Sequence, residues 1–115
     1  MPNHRALTRL LGVLILLLLL AAAVVRWRRQ ELLVHAAVRG DVSILKGLVA
    51  VGADPNSREA GSLPLYAAVW HGRAEAAECL ITLGADVNGA DSSGFTPLIA
   101  AASRGDGAMV RLLLR

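Results

Sequence analysis

The sequence predicts an all-α protein: an N-terminal transmembrane helix followed by an α-solenoid of antiparallel helix pairs with hairpin-like loops. Three observations carry this. Residues 10–25 form an unbroken run of sixteen uncharged residues. Beyond residue 30 the chain repeats itself, with GADPN at 52–56 returning thirty-two positions later as GADVN at 84–88. Within each period an apolar, helix-forming stretch is closed by a glycine and followed by a second one, the pattern of two short helices that turn back on each other.

The run at 10–25 comes first. It is preceded by Arg5 and Arg9, followed by Arg26, Trp27, Arg28 and Arg29, and is apolar on every face. A helix without a polar stripe has no place on the surface of a small soluble domain, and the rest of the chain is too short to wrap it. At 1.5 Å per residue the run covers about 24 Å of the roughly 30 Å hydrocarbon layer. Snorkelling Arg9 and Arg26, with Trp27 at the interface, make up the difference, so the N-terminal segment 1–29 holds an anchor over about 8–27. The competing reading is a cleavable export signal, with Ala21, Ala22 and Ala23 as its small-residue cleavage site, which would leave an exported soluble protein. Val24, Val25 and the three arginines behind them favour the anchor. The flanking charges nearly balance, and a cytosolic C-terminal domain is the expected orientation. Gly12 stands alone in the span, so no GxxxG pair specifies a helix dimer. Neither Pro nor Gly occurs between Val13 and Arg39, which predicts a stiff helical connection into the next segment.

Length and charge narrow the classes of function open to the chain. The 115 residues are 55% apolar and 3% aromatic with formal charge +3, enough for one modest domain and too few for a multidomain enzyme. Residues 1–29 hold five arginines and no acid, whereas residues 30–115 hold seven basic and nine acidic side chains. The folded body is therefore slightly acidic, and no nucleic-acid partner is expected. Cys79, the single cysteine, cannot form an internal disulfide.

Inside the periodic part, Gly40, Gly72 and Gly105 keep step, each behind a pair of small residues: Ala36 and Ala37, Ala68 and Val69, Ala101 and Ala102. Pro64 and Pro97 suit the first turn of a helix, Gly72 a left-handed stop, and a second helix then runs to Gly84. The small residues let paired helices approach closely, while Leu65, Leu80, Ile81 and Leu83 supply the apolar faces that neighbouring units share. Asp86, Asn88, Gly89 and Gly94 favour turn geometry.

These residues resemble the ankyrin repeat, whose landmarks stand here as Thr96, Pro97, Leu98, Ala101 and Ala102 and as the two GAD motifs. The likeness covers residues 30–115, with units at about 30–61, 62–94 and 95–115. Leu63 replaces the threonine that would cap the helix, Val34, Tyr66 and Ile99 stand at the family's histidine position, and Gly47 lies inside a helix. Modest stability is the expectation, since a lost cap costs typically ~1 kcal/mol and a helical glycine up to ~1 kcal/mol. The third unit is cut short: its closing glycine would be residue 117. A truncated gene model, an unstable stub or an edge covered by a partner or second copy would each account for this, truncation ranking first. Met109, Val110, Leu112, Leu113 and Leu114 include residues that would face a missing fourth unit, and such an edge offers self-association.

No chemistry is expected. His4, His35 and His71 form no ligand motif, Cys79 takes a packing position, and Glu75 and Glu78 form an ordinary solvated face, so the chain reads as non-enzymatic, without metal or cofactor. The resemblance implies a concave groove lined by the two residues before each unit's glycine. Arg39, Trp70, His71 and Arg104 then form one strip that mixes an aromatic anchor with cationic donors, residue types that dominate binding at protein interfaces. A packing or membrane-surface role for Trp70 and solvation of the arginines stand beside this reading. The loop tips, at Arg58 and Glu59 and at Asp91 and Ser92, are the second implied contact surface. The function expected is a membrane-tethered adaptor or scaffold for an unidentified protein partner, held to the bilayer through residues 10–25. A small membrane subunit or effector acting through its hydrophobic helix is the remaining alternative.

Overall fold

The computed structural model describes residues 3–58 and 60–115, which form six α-helices without a strand among them. Helix α1 spans His4–Arg39, α2 Val42–Ala50, α3 Pro64–Trp70, α4 Ala74–Thr82, α5 Pro97–Ser103 and α6 Gly107–Leu113. The second half of α1, α3 and α5 pack side by side as an inner layer, and α2, α4 and α6 form an outer layer behind them. Among the described residues the hairpin-like loops are closed by turns, without strand pairing.

Each pair folds for the same local reasons. Gly40, Gly72 and Gly105 adopt left-handed φ of 77°, 70° and 67°, a conformation nearly free of cost only for glycine. Behind each, a backbone N–H reaches five residues back: Asp41 to Ala36 O at 2.9 Å, Arg73 to Ala68 O at 2.8 Å and Asp106 to Ala101 O at 3.0 Å. This closes the first helix and aims the second antiparallel to it. Asp41 and Asp106 then cap α2 and α6 by accepting from the Ile44 and Met109 N–H groups, and Thr96 caps α5 by accepting from Ile99 N–H. Leu63 gives α3 no side-chain cap, as its identity predicts.

The core runs between the layers through Leu33, Ala36, Ala37, Leu45, Leu65, Ala68, Val69, Ala76, Ala77, Leu80 and Ala101. Its alanines hold the helices close, and its leucines fill the space that remains. Ile81 and Leu83 are half-buried at its margin, and Cys79 is buried within it.

Helix α1 passes without interruption from the apolar run into the inner layer, as the lack of Pro and Gly after Val13 predicts. From His4 to Arg28 its side chains lie exposed, so by length and composition it is the one described helix able to cross a membrane. Of the residues expected at the open face of the third pair, Leu114 is exposed. Met109 and Leu113 turn inward and are 1% and 6% exposed, because they repeat the buried positions of Ala76 and Leu80. Leu98 and Ala102 are exposed instead, although their counterparts Leu65 and Val69 are buried by the pair stacked on them.

Candidate functional site

The inner layer orders its side chains in rows, one residue per unit. Val34, Tyr66 and Ile99 form one row, Val38, Trp70 and Ser103 the next, and Arg39, His71 and Arg104 the last before the glycines. Tyr66 and Trp70, one helical turn apart on α3, stack with ring centroids 6.3 Å apart and planes 4° from parallel, an offset arrangement that aromatic pairs favour. Trp70 keeps 45% of its surface exposed. It therefore packs along its own helix and still faces outward.

The cations of the predicted strip divide. Arg104 Nη1 donates to the carbonyl of Trp70, one of the carbonyls that the end of α3 leaves without a helical partner. His71 Nδ1 lies 2.9 Å from Ala67 O of the same helix. Arg39 is exposed and opens onto a shallow depression of about 250 Å³, which Arg73 and Glu75 also line. Thus Trp70, His71 and Arg104 come together, and Arg39 stands one unit away.

Arg73 joins this surface although no sequence motif marks it. Its Nε donates to Val38 O at 2.9 Å, the counterpart one unit earlier of the Trp70 carbonyl. Its stem lies over Gly40, where an added Cβ would be 3.2 Å from Arg73 Cδ. The one signal in the sequence is its position: it stands where the other units place the capping Asp41 and Asp106, and α4 has no side-chain cap.

The loop tips are continuous with the strip. Arg58 donates to the carbonyl of Ala90, tying one tip to the next. The Asp91 carboxylate accepts from Ser93 and Phe95 N–H at 2.8 and 2.9 Å, which fixes the second tip as a closed turn. Arg58, Asp91 and Ser92 meet around a cavity of about 270 Å³ whose floor is Leu63 and Tyr66. Tyr66 is thus shared between the cavity and the Trp70 stack, so the two predicted contact surfaces meet. Glu59 lies outside the described residues.

Of the membrane-flanking residues, Arg9, Trp27 and Arg28 are exposed. Arg29 Nη1 donates to Val51 O at 2.8 Å, and Arg26 lines a recess with Gly52, Asp54 and Ser57. Beside them Gln30 is 3% exposed, its carboxamide oriented to donate to Asp54 O at 2.9 Å and accept from Asp54 N at 2.7 Å. Asn56 does the same for the next unit, donating to Gly84 O at 3.0 Å and accepting from Asp86 N at 2.7 Å. Gln30 of the long helix thus takes the part that a loop asparagine takes further on. No group of three or more potential metal ligands occurs among the described residues.

A family model described as ankyrin repeats (3 copies) matches residues 14–115. Alpha-latroinsectotoxin-Lt1a of Latrodectus tredecimguttatus is 44% identical over 75 residues, 64% of this chain and 5% of that protein. Inversin of Gallus gallus is 43% identical over 84 residues, 70% of this chain and 8% of the relative. RelA-associated inhibitor of Mus musculus is 35% identical over 85 residues, 73% and 10% respectively. The chain thus spans a tenth or less of the length of these relatives. With three helix pairs in register and a match over most of its length, the chain belongs to the ankyrin-repeat family, whose units mediate protein–protein interaction.

Proposed function

We propose that this chain is a membrane-tethered adaptor that performs no reaction of its own. In this reading α1 crosses the bilayer once, the repeats lie in the cytosol, and the inner-layer face captures a protein partner. The observation that carries it is the exposed Trp70 ring, stacked on Tyr66 while Arg104 holds its backbone carbonyl. A large aromatic surface whose position is already fixed loses little conformational entropy on binding, a property of residues that dominate interfaces. His71 stands beside it, and Arg39 offers exposed hydrogen-bond donors one unit away on the same face.

The test has two arms. Carbonate extraction and N-terminal sequencing of the native protein should find it in the membrane fraction with residues 1–23 intact; a soluble product lacking them sinks the tether. Proximity labelling in the native cell then identifies a partner, and its affinity for the full-length chain should fall at least tenfold with Trp70→Ala. Unchanged affinity would remove Trp70 from the site.

One observation favours the exported soluble form as a second reading. The contacts joining α1 to the repeats begin at Arg26 and Arg29, beyond the alanines at 21–23, so cleavage there would spare them. The exposed Leu98 and Ala102 on the third pair also support self-association across that face. Sedimentation of the detergent-solubilised protein should show a concentration-dependent dimer, and a monomer at all concentrations removes this contact.

A further inference from the structure

We propose that the edge of the solenoid formed by Val51 and Phe95 rests on the headgroup layer of the bilayer that holds α1, so that the protein meets lipid at two places. The inference rests on the reading of α1 as a membrane anchor. Because α1 is one unbroken helix from His4 to Arg39, each residue along it adds about 1.5 Å of height above the bilayer. The last apolar residue of the run is Val25.

The loop after α2 is fastened to α1 only just beyond that point. Arg29 Nη1 donates to Val51 O at 2.8 Å, the Gln30 carboxamide grips Asp54, and Arg26 shares its recess with Gly52 and Ser57. Those rungs lie about 1.5 to 7.5 Å beyond Val25 along the helix axis. A headgroup layer is roughly 5 to 7 Å thick on each side of the hydrocarbon. The apolar run, about 24 Å long, falls short of a hydrocarbon layer of about 30 Å, which draws the same rungs inward. A loop fixed at that height meets headgroups.

The side chains on this edge fit that environment. Val51 is 63% and Phe95 47% exposed, and Trp27 on α1 is 46% exposed. Phe95 stands two repeat periods after Gln30, at the entry to inner helix α5, and the inner helices pack side by side. Aromatic side chains concentrate at this depth of a membrane. The charges nearby, Arg26, Arg28, Arg29 and Arg58 against Asp54, Asp86 and Asp91, are of both signs, so this surface does not need anionic lipid to meet headgroups. Arg39, Trp70, His71 and Arg104 sit at the other end of the inner helices, about 20 Å beyond Val25, so the groove opens away from the lipid.

The full chain reconstituted in phosphatidylcholine vesicles tests this with lipids brominated near the headgroup end of their acyl chains. Three single-tryptophan proteins are compared: Trp70→Phe, which keeps Trp27; Trp27→Phe, which keeps Trp70; and Phe95→Trp with both native tryptophans changed to Phe. The expected result is at least twofold quenching of the Trp27 protein and of the Phe95→Trp protein, and none of the Trp70 protein. Quenching of the Trp27 protein with Phe95→Trp as bright as the Trp70 protein overturns the two-contact arrangement and leaves the anchor standing. No quenching in any of the three overturns both. A nitroxide on Val51→Cys, which alters no aromatic residue, gives an independent reading: relaxation by a water-soluble nickel chelate reduced below that of a buffer-exposed control supports the contact, and full relaxation refutes it.

Discussion

Arg104 of the third unit donates to the backbone carbonyl of Trp70 in the second, and Arg73 makes the corresponding bond from the second unit to Val38 in the first. Each of these inner helices therefore ends under an arginine from the next unit. A positive charge at a helix C-terminus, satisfying a carbonyl that the helix leaves free, both stabilises the end and couples neighbouring units. Replacing Arg104 with Ala should lower stability by about 1 kcal/mol, the net worth of one such bond at an exposed position. In a domain this small that is roughly 4–8 °C of melting temperature by circular dichroism. An unchanged midpoint would show that the bond contributes nothing.

Leu63→Thr restores the family's capping residue and should nevertheless destabilise the protein. A threonine cap contributes typically ~1 kcal/mol, whereas the buried Leu63 side chain is worth roughly 1.5–3 kcal/mol. The ideal Cβ position at Gly89 lies 3.0 Å from Leu63 Cδ1, so the leucine also fills space against the loop after α4. A net loss of about 1 kcal/mol in urea unfolding is expected from the difference between these two contributions. A gain would mean that the cap outweighs packing here.

Gln30→Ala removes both bonds to Asp54 and should cost about 2 kcal/mol, because two backbone groups lose their partner at once. The effect should be local to the junction with α1. Hydrogen exchange at 52–56 is expected to quicken at least tenfold while 97–103 stays unchanged. Uniform acceleration across the repeats would contradict a local role.

Gly47→Ala should stabilise. Gly47 lies within α2, with nothing within 4 Å of a built Cβ, so alanine adds no clash and reduces the freedom of the unfolded chain. A gain of about 0.5–1 kcal/mol in the same denaturant titration is expected. A loss would indicate that the face around Gly47 is covered by something its open surroundings do not reveal.

The helix pairs are legible in the sequence because their signals are local. Pro64 and Pro97 open inner helices, Gly40, Gly72 and Gly105 close them, and Thr96 caps α5 where Leu63 leaves α3 uncapped. The part played by Arg73 is not legible, because its hydrogen bond runs to a residue 35 positions earlier, a distance at which only the stacking of units brings the groups together. Gln30 is hidden for the same reason, since nothing in the segment around it announces that its carboxamide will be buried against Asp54.

By itself the sequence determined the period, the helical class, the apolar run and its continuity into the repeats, since each depends on dihedral preference or on the polarity of neighbours a few residues apart. Only the tertiary structure decided which side chains meet. It turned Met109 and Leu113 inward, joined the loop-tip cavity to the Trp70 stack through Tyr66, and set the first loop beside Arg29. Those outcomes depend on how far one unit is displaced and rotated from the next, and that displacement is a property of the packed core, to which no single segment of sequence corresponds.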